Sequence, residues 1–408
     1  MEVTRAQVLA FRVARSYLGA RLPAQEAGSP TVRSRAGSVG VSVAAAMALG
    51  LRTTVASGPG AALAARVAAA GQDSLDALIA ARTVVEVIGM RASPHLILTS
   101  DWAVLTAAAL PAGDASLAAA LDGLKRRGDP FARLTPTRAL ALATDAARES
   151  LAAEPLDRGA LSAAMTRLLP AGLSPFCPAC KSDHVGETLF RLAGAAGGYV
   201  RRVGVRGRAS YCRPEDWLGS GAVTPRADIL AAAELEEARN ELTRRFLRAH
   251  GPSDSRGLAA WLGVLPADGA ARWASFPDLR YPVTYQGREL WILAVDADAL
   301  DVAAQPGSGV RLLPPYDPLL LTPDRATLVP DRGEQKELWR ILGNPGAILA
   351  RGRVAGGWRA AASGKRLTLT LSPFAGWDRG ELPAVRTEAA RLAGARGMAL
   401  ADVVVEVA

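Results

Sequence analysis

Three groups of side chains in this sequence have the types and spacing to do chemistry. The first is Cys177-Pro-Ala-Cys180 followed by His184, with Cys212 a further 28 residues on, and it takes in every cysteine of the chain. Two thiolates at C-x2-C spacing can close around one ion, and a histidine adds a third donor. The set is one that tetrahedral zinc takes, with Zn–S distances of roughly 2.3 Å. The same residues also suit a capped helix start, with two partly buried thiols and His184 hydrogen-bonded nearby. The second group is Arg91, His95 and Asp101. A His–Asp pair serves general acid–base work, although a histidine beside a strand is more often a satisfied structural group. The third is Arg201, Arg202, Arg206 and Arg208, which fall within eight residues, with Arg213 just beyond. On a two-stranded ribbon they make a dense positive face for a DNA backbone; a solvated hairpin is the plain alternative. Phosphate-cradling patterns are absent: GAAGG at 194–198 and GPGAA at 58–62 lack the Gly-Lys-Ser/Thr ending. No nucleophile elbow is present.

The whole chain bounds what these groups can serve. It has 408 residues, half of them apolar, which is room for two to four domains with sizeable cores. The net charge is +9, and arginine carries nearly all the positive charge, since Lys125, Lys181, Lys336 and Lys365 are the only lysines. GC-rich coding accounts for part of that usage. The rest points to a polyanion, because guanidinium pairs bidentately with phosphate. Three cysteines are too few for a disulfide framework. No apolar run reaches 18 residues, so no membrane helix is expected. The N-terminus, MEVTRAQVLAFRVARSYLG, carries charges inside an amphipathic helical pattern rather than forming a signal peptide. Cytoplasmic residence follows by default.

The elements that must position these groups come next. Apolar spacing predicts helices over 3–21, 43–51 and 74–81, then strands over 83–88 and 96–98. Helices then a two-stranded turn is the outline of a winged helix. The outline recurs with helices over 137–154, 161–169 and 187–195 and a basic hairpin over 198–212. It recurs again with helices over 230–250, 255–262 and 267–273 and a hairpin over 279–295, turning at Gln286-Gly287. Gly251-Pro252 stops the long helix, and Ser253 or Asp254 caps the next. The period of about 90 residues implies tandem modules rather than a solenoid. RLLPPYDPLLLTPDR at 311–325 has prolines that break helix and a short apolar run between them, so it reads as a buried segment docked between turns. It would be a packing hub between a helical front and a β-rich back. A hairpin turning at Arg351-Gly352 follows, then strands to 375, a helix over 384–392 and a final strand over 402–407. The expected limits are winged helix 1 over 1–110, winged helix 2 with the basic wing over 111–225, winged helix 3 over 226–300, and a β-rich domain over 301–408.

RLLPPYDPLLLTPDR, GRVAGGWR (352–359), ELTRRFLRAHGPSDSRGLAAWLGV (241–264) and CPACKSDHVGETLFRLAG (177–194), with GMRASPHLI (89–97) as a looser match, together resemble the HTH_42 winged-helix superfamily. That superfamily holds the AlkZ and YcaQ types of bacterial DNA glycosylase. The resemblance implies an α+β, mainly α fold of three tandem winged-helix modules in a C-shaped arrangement, plus a small C-terminal β-barrel-like domain. It implies excision of N-alkylated purines from double-stranded DNA, including bulky antibiotic adducts, as self-resistance in a producer. It implies no required cofactor and a monomer. The family's catalytic motif, Gln–apolar–Gln or Gln–apolar–Asp just after a glycine, falls here on Gly37 followed by Ser38-Val39-Gly40. No glutamine or acid lies between Glu26 and Gln72. Hydrolysis of an N-glycosidic bond needs a group that holds water and stabilises positive charge growing on the sugar. A serine hydroxyl holds water but supplies no charge.

Three functions fit these residues. One is a glycosylase of altered active site, its water held by Ser38, Ser42 or a residue from elsewhere such as Asp101. The second is a silent relative that binds DNA or sequesters a DNA-damaging natural product. The third is a transcription regulator, disfavoured because regulators usually read two half-sites as dimers. DNA contacts are expected from Arg33, Arg35, Arg91, the four wing arginines, and Gln286 and Arg288 at the third hairpin's turn. A bulky adduct calls for a wide cleft between modules rather than a snug base pocket.

Overall fold

The computed structural model describes residues 1–24, 31–34, 37–121, 134–203, 209–224, 226–303 and 309–406; for residues 31–38 and 203 it describes the backbone alone. Two five-stranded sheets and a long buried helix frame the chain.

The long helix, Ala232–His250, starts where the Glu234 carboxylate reaches back to the Ala231 amide, and stops at Gly251. Its Leu242, Phe246 and Leu247 pack with Trp102, Leu105, Leu258 and Trp261 in one apolar cluster. Residues 241, 245 and 248 fall on one stripe by helical spacing and carry Glu, Arg and Arg. The N-terminal helix Arg5–Arg15 begins with a Thr4–Gln7 capping box. Its buried Arg12 donates to the carbonyl of Gly251 and to Asp324, tying the end of the long helix to the 311–325 stretch.

The front sheet has the order Leu51–Arg52, Ser93–Leu98, Val84–Gly89, Val200–Val203 and Ala209–Cys212. The first expected hairpin and the basic hairpin are therefore not separate ribbons. Glu86 pairs with Arg201 across the join, and five strands make one sheet.

The rear sheet runs Val310–Leu313, Gly346–Ala350, Arg353–Ser363, Arg366–Pro373 and Ala399–Val405. Its last strand lies parallel to its neighbour. A parallel pair needs a crossover, and the helix Leu382–Ala395 supplies it, burying Val385, Ala389 and Leu392 against Leu367, Leu369 and Leu371. The sheet is open, which corrects the barrel-like expectation. Its first and last strands do not pair, and one of them has only four residues.

The two hairpin turns read from the sequence take the left-handed geometry that a two-residue β-turn demands. Gln286 and Gly287 have φ of 51° and 70°, and Arg351 and Gly352 have 47° and 72°. Among the described residues no single helix is long and apolar enough to cross a membrane.

The 311–325 stretch is the hub expected of it. Leu313, Leu319 and Leu320 share a cluster with Leu9 and Val13 of the first helix and with Ala347 and Leu349 of the rear sheet.

Candidate active site

A cleft of about 390 Å3 opens beside the helix that follows Ser38-Val39-Gly40. It is walled by Val41 and Ala45, by Glu241, Arg245 and Arg248 of the long helix, by Ser100 and Asp101, and by Arg66 and Pro318 at the hub. Each wall follows from local sequence. Gly40 ends a short strand and starts the helix Val41–Ala46. The strand Ser93–Leu98 ends in a tight turn that brings Asp101 to the front of the helix beginning at Trp102. Pro318 opens the 3-10 turn of the hub.

Arg245 organises the cleft. Its two terminal nitrogens donate to Asp101 Oδ2 and Oδ1 at 2.8 and 2.9 Å, a bidentate pair. Its Nε donates to Glu241 Oε1 at 2.7 Å, and one terminal nitrogen also donates to the Ala48 carbonyl at 2.8 Å. One guanidinium thus fastens the end of the helix after Ser38-Val39-Gly40 to a carboxylate in the cleft wall. Arg244 continues the network to Glu241 and Asp278. Three carboxylates and two guanidiniums leave it one net negative charge. Burial pushes the Glu241 carboxyl up, but its hydrogen bonds from Arg245 and Arg244 outweigh that and hold it below the usual carboxylate range. Burial likewise disfavours charge on Arg245, yet Asp101 and Glu241 raise it overall. Arg15 and Arg248 line the same cleft and share Asp296; Arg248 is half exposed and lies 3.8 Å from that carboxylate. The cleft therefore has an anionic wall and a cationic one.

Comparison with known proteins fixes the family. The model for AlkZ-like DNA glycosylases matches residues 45–395. The chain belongs to the AlkZ-like DNA glycosylase family. No curated protein matches the chain. Among solved structures, the DNA glycosylase AlkZ of Streptomyces sahachiroi is similar over 100% of both chains, at 20% identity and a TM-score of 0.71. That likeness is one of fold; membership carries a DNA glycosylase type of function and DNA as the partner.

The residues expected from the sequence fare differently in this member of the AlkZ-like family. Val39 is buried with Val43, Leu63 and Leu96, and Gly40 offers no side chain, so neither presents a polar group. Ser38 pairs through its backbone with Arg33; the side chains of both, and the whole of Arg35, lie outside the described residues. His95 and Asp101 do not meet. His95 Nδ1 donates to the Ser93 carbonyl at 2.8 Å, and burial lowers its pKa to about 4, so it is a neutral core histidine. Asp101 bonds to Arg245 instead.

The arginines divide. Arg201 is paired with Glu86, a carboxylate only 4% exposed, and so works inside the sheet. Arg202 stacks on Trp217 at 4.5 Å, and Arg82 lies 5.4 Å from the same ring. Arg206 and Arg208 lie outside the described residues. Arg288 pairs with Asp254, and the Gln286 amide donates to the Tyr285 hydroxyl. Arg91 is exposed, and its charge is close enough to depress the pKa of Arg52 and of Arg325, each already lowered chiefly by burial. Arg191 adds to the depression at Arg52. Arg91 thus neighbours both Arg52 and Arg325, and Arg52 stacks on Tyr316 at 4.6 Å while Arg325 lies over Trp339. These arginines come from distant parts of the sequence, so no local pattern announces them. Glu241, Arg245 and Arg248 were missed by the sequence reading; the signal for them is their spacing, which sets them on one charged stripe of a helix.

Cys177, Cys180 and His184 lie together, with donor atoms all within 4.8 Å. Cys212 does not join them, which corrects the four-ligand set. It sits on the front sheet, buried with Val200 and Leu218, and burial pushes its thiol up to about 11.

Proposed function

We propose that this chain hydrolyses the N-glycosidic bond of an alkylated purine in duplex DNA, with Asp101 as the carboxylate that replaces the missing motif glutamine. The observation that carries this is the bidentate clamp of Arg245 on Asp101, in a cleft wall bound to the helix directly after Ser38-Val39-Gly40. An ionised carboxylate accepts hydrogen bonds at about four lone-pair sites, so the two held by Arg245 leave others for a water. The same charge opposes the positive charge that grows on the sugar as the base departs. Arg248 and Arg15 suit the flanking phosphates. The purine leaves as a cation, which makes positioning the water the main task. The half-open cleft suits a bulky adduct better than a closed base pocket, and removal of such adducts is the chemistry of self-resistance in an antibiotic producer. The helix-plus-hairpin units read as winged-helix modules acting as a monomer on DNA.

A second function rests on one fact: Val39 is core and Gly40 is bare, so neither supplies a polar group or a charge at the expected motif position. A silent relative would keep DNA or adduct binding without hydrolysis. Duplex DNA alkylated at guanine N7 separates the two. Alkali-labile abasic sites should form faster with the protein than in buffer and should be lost with Asp101→Asn. Binding with release no faster than in buffer would support the silent relative.

A further inference from the structure

Residues 176–184 leave the helical body as a small ribbon with no core of its own. Two-residue strands, Phe176–Cys177 and Ser182–Asp183, pair antiparallel, and the turn between them puts Lys181 at a φ of 53°. No residue from 176 to 183 is buried, whereas Leu173 before and Val185 after are fully packed. A two-stranded ribbon is marginal in water even when longer than this, so apolar burial does not account for its fixed shape.

Three side chains of metal-ligand type stand together at its mouth. The two thiol sulfurs and a ring nitrogen of His184 converge within 4.8 Å. Around tetrahedral zinc the same donors stand about 3.5–3.8 Å apart, so closure needs movement of an ångström or so in side chains that are exposed or half-buried. The His184 ring is already set. Its Nδ1 lies 2.9 Å from the Val185 carbonyl, which can only accept, so Nδ1 carries the proton and the ring's lone pair is on Nε2. A backbone carbonyl holding the remote nitrogen is the usual support of a metal-bound histidine. Ordering a short segment without a core is what a structural ion does, since binding energy becomes folding energy.

We propose that Cys177, Cys180 and His184 bind one Zn2+, with a water in the fourth position, and that the ion holds the 176–184 ribbon in place. The fourth position belongs to solvent because Cys212 is locked in the front sheet. The C-terminal end of the ribbon matters to the fold: the Val185 amide donates to Thr166 Oγ1 of the helix Arg158–Leu168, and Gly186 starts the helix Glu187–Ala195. The ion therefore fixes the start of the helix that carries Arg191.

The full chain, purified with a non-thiol reductant and dialysed against trace zinc, should hold about one equivalent of zinc. Cys180→Ser and His184→Ala should each lower zinc affinity at least tenfold, and Cys212→Ser should leave it unchanged. Co2+ in place of zinc should give the intense visible bands of a tetrahedral thiolate site. Chelation should speed trypsin cleavage after Lys181 at least tenfold while the circular dichroism of the body is retained. Zinc below about a tenth of an equivalent after dialysis, or zinc that survives Cys180→Ser, overturns the proposal. So does a Cys177–Cys180 disulfide in the reduced preparation, or a ribbon whose cleavage ignores the chelator.

Discussion

Two arginine–carboxylate clusters stand beside the same cleft and do opposite work. At the hub, Arg66 donates to Asp317 through both terminal nitrogens at 2.7 Å, and the pair is 3% and 0% exposed. Asp317 also accepts from the Leu319 amide at 3.0 Å, and Arg66 donates to the Ala62 carbonyl. In the cleft wall, Arg245 clamps Asp101 with equal geometry, but the side chains are 18% and 12% exposed, and Glu241 beside them is 30% exposed. The chemistry is the same and access to solvent differs. A sealed pair has no face left for a ligand and serves to join the front of the molecule to the back. An open pair keeps lone pairs toward the cleft and can meet a substrate.

The largest effect should follow from Asp317→Asn. It leaves Arg66 charged in a sealed site, and losing one partner of a buried pair costs about 3–5 kcal/mol. Thermal denaturation should show a large fall in Tm, while protein that remains folded keeps its DNA affinity. An unchanged Tm would mean the hub pair is not structural. Asp101→Asn should do the reverse: formation of abasic sites falls on the order of 10²–10⁴-fold, with a stability loss of only about 1–3 kcal/mol. A loss of stability as large as that at Asp317, with hydrolysis per folded molecule unchanged, would erase the contrast.

Acid should weaken both regions. His250, packed beneath Arg12, has its pKa lowered by burial to about 3, and His95, on the strand leading to Asp101, to about 4. The unfolded chain takes up these protons below about pH 6.5 and the folded chain does not. Stability is thus complete above that pH and falls through the window down to each folded value, by about 1.4 kcal/mol per pH unit per histidine. Carboxylates held low, such as Asp278 and Asp228, add their own loss only below their ordinary value of 3.8. Urea titrations from pH 7.5 to 5 check this; a flat profile would show that neither imidazole is held neutral. The smallest effect should come from Arg248→Ala, which removes one weakly held phosphate partner. Its expected signature in a salt series is DNA binding a few-fold weaker and a salt slope lower by about one. An unchanged slope would take Arg248 off the DNA path.

Much of the fold was legible because local rules dominate there. Gln286-Gly287 and Arg351-Gly352 fall at turns since glycine tolerates the left-handed backbone. Of the two cap candidates, Ser253 and Asp254, it is Asp254 that caps the helix. The sheets were less legible. Val200–Cys212 looked like a free basic wing, yet Glu86 from more than a hundred residues earlier takes Arg201 into a shared sheet. In the site, Asp101 was visible as a candidate but its partner was not, since Arg245 lies 144 residues away. Val39 is buried in the core, which its sequence position alone did not reveal, and Gly40 has no side chain.

The sequence by itself determined the helix stops, the hairpin turns, the hub's apolar run, the excess of arginine and the close spacing of Cys177, Cys180 and His184. These are fixed by neighbours a few residues apart, where dihedral preference and side-chain reach suffice. Only the tertiary structure decided which arginines are occupied and which face the cleft, that Cys212 stands apart, and that the rear sheet is open. Those outcomes depend on long-range burial, because solvent access turns a guanidinium beside a carboxylate into either a fastening or a site.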